Sequence, residues 1–184
     1  MPRPPDFRPA LSGVGPLRRW GLHGAHLIAL GFGSGLSPIA PGTVGTLWAW
    51  LFWWAASASL SSAAWGWVLA LSLPLGVWCC AVTARSLAQA DPSCVVWDEV
   101  IAFWLVLWLI TPTSWVEQVL AFALFRGFDA VKPGPVGWAD GLSDRIDFGN
   151  DRHAWLKAGA VIVFDDLIAA GCTLFVMAVA RQVG

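Results

Sequence analysis

From Leu27 through Ala84 the chain carries no Asp, Glu, Lys, Arg or His. A soluble domain has about 25% charged residues and would interrupt such a run, whereas this chain is 12% charged and 57% hydrophobic. A lipid-embedded hairpin needs the run, because a charge at the bilayer centre costs roughly 2.5–3.5 kcal/mol on insertion scales. The chain therefore reads as an integral membrane protein. Arg3, Arg8, Arg18 and Arg19 precede the run and hold the N-terminus in the cytoplasm by the positive-inside rule. The apolar piece Leu27–Leu30 dissolves into glycines with no small-residue cleavage site, so it does not read as a cleavable signal.

Several function classes fall away. Eleven basic against twelve acidic residues leave no nucleic-acid footprint. With no tyrosine there is no tyrosyl nucleophile. Cys79, Cys80, Cys94 and Cys172 form neither a CxxC pair nor a Cys/His ligand spacing, and read as small apolar fillers rather than a zinc site or a disulfide framework. Cys79 and Arg85 have the spacing of a cysteine phosphatase, but the residues between them lack glycine and continue a helix whose amides are already bonded. No Asp-x-Asp occurs, and no Gly-Lys-Ser/Thr follows the glycines at 31–35, which excludes an aspartyl-phosphate motif and a nucleotide P-loop.

Residues 1–25, rich in Pro and Arg, read as a flexible segment, and 26–184 as a single membrane-embedded domain. Gly31 to Thr43 is too rich in Gly and Pro for helix and reads as a structured loop. Val44–Leu60 and Ala64–Ala84 are expected helices joined by a Ser-rich turn; Arg85–Glu99 returns to a polar surface, with Asp91-Pro92-Ser93 as its turn. Val100–Ile110 is apolar for only half a bilayer before Thr111-Pro-Thr-Ser114, and Trp115–Phe128 is apolar again. Two topologies follow: one kinked span over Val100–Phe125, or a re-entrant hairpin near 100–128 that returns both loops to one face. The hairpin is preferred, since Pro112 flanked by Thr and Ser is turn chemistry and Glu117 is badly placed in lipid. Lys132 to Lys157 is polar, and Ala158–Ala180 is a last helix. No period-2 pattern appears, so the fold class is all-α, a compact integral-membrane bundle of about five to six helices without a sheet.

Five carboxylates sit inside or at the edge of these apolar segments: Asp98, Glu99, Asp129, Asp165 and Asp166. Desolvating them is costly unless something takes their charge. Only Arg126 and Lys132 share their context. A divalent cation would settle the balance, and oxygen-only ligation suits Mg²⁺. Arg126, Asp129 and Lys132 at i, i+3 and i+6 share roughly one helical face, a cation–carboxylate–cation stripe suited to a phosphate beside a metal. Acidic pairs plus this stripe read as functional rather than as interfacial salt bridges. His23, His26 and His153 read as surface or packing residues.

Three blocks then read together. Gly31 to Leu47 (GFGSGLSPIAPGTVGTL), Val96 to Ala102 (VWDEVIA), and Phe125 to Pro135 (FRGFDAVKPGP) with Phe164 to Ala169 (FDDLIA) resemble the phosphatidylglycerophosphatase A family. The resemblance covers about residues 26–171. It implies a compact helical fold and a Mg²⁺-dependent phosphatase of the bacterial inner (cytoplasmic) membrane that converts the phospholipid phosphatidylglycerophosphate to phosphatidylglycerol. It implies that Asp98, Glu99, Asp129, Asp165 and Asp166 are the metal and catalytic carboxylates, held on loops that share the cytoplasmic face. Arg126, Lys132 and the amides of Gly42 and Thr43 are then expected to bind phosphate. Asp140–Lys157 is longer than the family's connection, and Asp140, Asp144 and Asp147 receive no role. The competing readings are a phosphatase for another lipid or isoprenoid phosphate, and a membrane transporter or scaffold whose carboxylates are strung through the membrane depth. Nothing in the sequence points to an obligate protein partner.

Overall fold

The structure is a computed structural model that describes residues 16–146 and 153–183. Its elements are α1 (Pro16–Ala29), a 3₁₀ turn at Gly31–Leu36, α2 (Pro41–Ser57), α3 (Ser62–Leu87), α4 (Trp97–Ile110), α5 (Trp115–Val131), α6 (Pro135–Asp140), a 3₁₀ turn at Ser143–Arg145, and α7 (Ala154–Val183). Among the described residues there is no strand. Ser62–Leu87 and Ala154–Gln182 are long and apolar enough to cross a membrane.

The centre of the bundle is α4. Its mean composition is apolar all round, and from Trp97 to Ile110 nearly every side chain is buried, including Phe103, Val106 and Leu107. A helix without a polar face is stable only when enclosed, and α2, α3, α5 and α7 enclose this one. Aromatic rings fill the α2–α3–α4 junction: Trp53 lies 4.2 Å from Trp65, and Trp65 5.6 Å from Trp104. Trp104 Nε1 donates to the Ala49 carbonyl at 2.9 Å, which satisfies the one polar atom that burying this ring would strand. α3 packs closely on α7, where a Cβ on Gly159 would come within 2.3 Å of the Val77 carbonyl oxygen.

The segment 100–128 is a helical hairpin and not one kinked helix. Phe103 meets Phe122 and Phe125 at 5.8 and 5.7 Å, so α5 runs back along α4. Glu117, the residue that argued for a turn here, closes a capping box with Ser114 at the start of α5. The same carboxylate accepts from Arg181 at the far end of α7.

Other boundaries moved. The flexible segment expected to reach residue 25 is helical from Pro16, because α1 has a face to bury: Ala25 and Ala29 pack inward, and His26 Nδ1 lies 3.0 Å from Thr83 Oγ1 on α3. Residues 1–15 lie outside the described residues. The expected loop at 31–43 is partly wound. Its 3₁₀ turn is broken by left-handed Phe32 and Gly33, and α2 starts at Pro41, where proline suits a first helical position. In the polar stretch after Lys132, α6 forms a short helix, and Asp147, which received no role, lies outside the described residues.

The Ser114 amide, Arg181 and the Ser114 hydroxyl lower the Glu117 pKa from the usual range to about 2. A carboxylate with a depressed folded pKa stabilises above its unfolded value near 4.3 and loses that contribution as pH falls towards the folded value. Glu117→Gln should therefore lower the thermal midpoint in detergent by a few degrees at pH 6, and the gap to the wild-type protein should close between about pH 4 and pH 2.

Candidate functional site

The expected site residues converge beside the first turn of α4, from four separate elements. Asp98 and Glu99 open α4, where the partial positive charge of a helix start favours carboxylates. Asp166 comes from α7, and its carboxylate meets theirs: one oxygen from each of Asp98, Glu99 and Asp166 lies within 4.8 Å of the others. All three residues are at least 90% buried. Burial, with the charges of Glu99 and Asp166, holds Asp98 well above the usual carboxylate range. Burial and the Asp129 carboxylate push Glu99 up to about 7, against the pull of Arg126.

Arg126 and Asp129, from the last turns of α5, form the second part. Arg126 Nη1 lies 2.5 Å from Asp129 Oδ2 and 3.6 Å from Glu99 Oε1. Asp129 in turn acts on Asp166. The helix then ends with Lys132 as a left-handed cap, whose amide bonds the Phe128 carbonyl. Lys132 points its ammonium to Asp165, at 3.1 Å, and to Asp140. Partial burial works against that charge, but the two carboxylates outweigh it and raise the lysine's pKa. The five carboxylates expected around one or two metals are thus divided. Asp98, Glu99 and Asp166 form the compact trio, Asp129 is tied to Arg126, and Asp165 is tied to Lys132.

The start of α2 supplies the third part. Gly42 sits so close to the trio that a Cβ there would fall 2.1 Å from Glu99 Oε1 and 3.0 Å from Arg126 Nη2. Ala40, the residue before the helix, is left-handed and makes no side-chain cap, while the first helical bond goes from the Val44 amide to the Ala40 carbonyl. The amides of Gly42 and Thr43 therefore belong to the helix's uncapped first turn.

Two residues of this region escaped the sequence reading. Asp140 is brought onto Lys132 because α6 folds back: Gly137 packs so tightly on the Lys132 carbonyl that a Cβ would lie 2.4 Å from it. Asp91, read only as a turn residue, lies within electrostatic reach of Lys132, Asp140 and Asp129. Neither carries a local signal, since both belong to turns whose position depends on packing. The cysteine-phosphatase spacing is excluded physically: Cys79 through Arg85 is continuous α3 helix, and both Cys79 and Cys80 are buried.

Whether the trio suits a cation can be judged from its own atoms. Asp98 Oδ1, Glu99 Oε2 and Asp166 Oδ2 are buried with no hydrogen-bond partner among the described residues. Buried carboxylate oxygens without donors are strongly unfavourable, and three carboxylates that bring one oxygen each within 4.8 Å of the others form a hard, oxygen-only donor set.

Comparison with known proteins gives the site a family. The phosphatidylglycerophosphatase A family model matches residues 27–181. The chain belongs to the phosphatidylglycerophosphatase A family. It is 36% identical over 144 residues to phosphatidylglycerophosphatase A of Escherichia coli K12, covering 78% of this chain and 76% of that one. The Haemophilus influenzae phosphatidylglycerophosphatase A is 35% identical over 149 residues, 81% of this chain and 83% of its own. A Bacteroides thetaiotaomicron protein provisionally named a phosphatidylinositol-3-phosphatase is 37% identical over 163 residues, 85% of this chain and 93% of its own. All three relatives are named as lipid phosphatases. No solved structure matches the chain.

Family members with alanine at the position of Gly42 should lose the close approach of α2 to the trio. Gly42→Ala is expected to displace the Glu99 carboxylate and cut phosphate release from phosphatidylglycerophosphate by about 10- to 100-fold at unchanged thermal stability, measured by steady-state kinetics in detergent.

Proposed function

We propose that this protein is a Mg²⁺-dependent phosphatidylglycerophosphatase of the bacterial inner membrane, which releases the terminal phosphate of phosphatidylglycerophosphate in phospholipid biosynthesis. The observation that carries the reading is the buried trio Asp98, Glu99 and Asp166, each with a buried oxygen that lacks a protein donor. These three side chains would hold the metal, with Asp129 and Asp165 completing its surroundings from the Arg126 and Lys132 sides. Bound there, Mg²⁺ supplies Lewis-acid polarisation of the phosphate and a more acidic water.

The protein's own residues do the rest. Arg126 has one face on Glu99 and Asp129 and an unpartnered Nε, so its guanidinium is positioned by carboxylates before substrate arrives. It would meet the phosphate oxygens as their charge grows. Lys132 is kept charged by Asp140 and Asp165 and would serve the same charge from the other side. The Gly42 and Thr43 amides would donate to the phosphate at the α2 N-terminus. A carboxylate outside the metal's ligand set would take the proton of the attacking water. Grouping of these side chains at one point favours an enzyme over a proton-relaying transporter, whose carboxylates would be distributed along the helices. The site would open to the cytoplasm, the side on which the N-terminal arginines hold the preceding segment.

A second reading changes only the head group. The likeness to the provisionally named phosphatidylinositol-3-phosphatase supports the same chemistry on another phosphomonoester lipid.

The test is phosphate release by the protein in detergent from phosphatidylglycerophosphate and from phosphatidylinositol 3-phosphate, each with and without Mg²⁺. Turnover should need Mg²⁺ and favour phosphatidylglycerophosphate; equal or greater turnover of the inositol lipid would select the second reading. Asp166→Asn should reduce kcat by about 10²- to 10³-fold and weaken Mg²⁺ binding measured calorimetrically. Asp166→Asn with wild-type Mg²⁺-dependent turnover would overturn the metal assignment.

A further inference from the structure

The helices α5 and α7 run antiparallel and are tied at both ends. Near the site Lys132 meets Asp165 at 3.1 Å, and at the opposite end Arg181 meets Glu117 at 2.8 Å. Along α7, between the levels of the two ties, the surface is hollowed beside the end of α5. A cavity of about 420 Å³ opens there, lined by Phe128, Pro135, Leu167, Ile168, Gly171 and Phe175, among others. That size falls within the usual range for small-molecule sites.

Three features distinguish this groove from an ordinary lipid-facing surface. Its lining starts next to the site in the chain: Leu167 and Ile168 directly follow Asp165 and Asp166, and Phe128 directly precedes Asp129. It runs lengthwise, since its α7 residues recur at helical spacing from Leu167 to Val176, about 14 Å of helix. It also has open space at its midpoint, where a Cβ on Gly171 would meet nothing within 4 Å. A smaller apolar depression of about 200 Å³, lined by Trp50, Trp54 and Trp115, includes none of the charged site residues or their neighbours.

We propose that the α5–α7 groove is the binding site for one acyl chain of the phosphomonoester lipid whose head group lies over the carboxylates. The inference rests on the lipid-phosphatase reading above. It assigns the occupant by continuity: a charged head at Asp165, Asp166 and Lys132 leads straight into an apolar channel, the polarity sequence of a phospholipid along its own length. Anchoring the chain fixes how far the phosphate can enter, so the groove contributes to positioning as well as to affinity.

The test uses phosphatidic acid carrying a diazirine midway along one acyl chain, added to the full-length protein in phosphatidylcholine nanodiscs, with crosslinks mapped by mass spectrometry. Labelling is expected on residues 167–176, to fall several-fold with excess unlabelled phosphatidic acid, and to be unaffected by more phosphatidylcholine. Gly171→Trp, which fills the groove with a better helix former than glycine, should abolish that competable labelling, while Gly171→Ala should keep it. In kinetics, Gly171→Trp should lower kcat/KM for a long-chain substrate at least about tenfold and leave a dibutanoyl substrate unchanged. Labelling that phosphatidic acid does not displace, or an equal loss on both chain lengths, would overturn the proposal. The labelling does not depend on turnover, so a wild-type protein inactive on phosphatidylglycerophosphate would refute the functional reading and leave the groove assignment to the crosslinks.

Discussion

Asp98 and Glu99 begin a helix that is buried over most of its surface, and both residues are themselves more than nine-tenths shielded from water. The arrangement is tolerable only because other elements bring compensation to that one point. The helix start itself contributes favourable partial charge, Arg126 arrives from the end of α5, and Gly42 lets the first turn of α2 press against Glu99. Removing one partner from such a buried set leaves an uncompensated charge rather than a small gap. The rest of the bundle can be understood as the set of elements that must terminate near α4's first turn: α2 begins there, α5 ends there, and α7 passes it at Asp166.

That convergence explains how the division of labour among the acidic residues arises. Carboxylates on different helices reach the same place from different directions, so their nearest cations differ. Asp129 is one helical turn from Arg126 and pairs with it locally. Asp165 and Asp166 are adjacent in sequence but about 100° apart around α7; one turns to Lys132 and the other to the trio. A pair that looks redundant in the sequence thus serves two different neighbours.

Much of this could be read before any coordinates. The charge-free run from Leu27 to Ala84 and the apolar segments that follow give the helices, because periodicity and charge scarcity are local properties. The carboxylates out of place in those segments marked the candidate residues for the same reason. What could not be read depends on contacts between distant segments. The helicity of Pro16–Ala29 comes from packing against α3 rather than from its own Pro, Gly and Arg content. The pairing of Asp140 with Lys132 follows from the tight return at Gly137. Glu117 seemed out of place in an apolar helix until its capping role and its partner Arg181 were seen together.

The double fastening of α5 to α7 has a mechanical consequence. From Asp165 to Arg181 is about 24 Å of helix, and from Glu117 to Lys132 about 22 Å, so the two ties sit in register across nearly matched lengths. Sliding one helix past the other by a turn would break both at once. The pair therefore moves as a unit and not by shear, which keeps the distance from the site to the far end of the seam fixed.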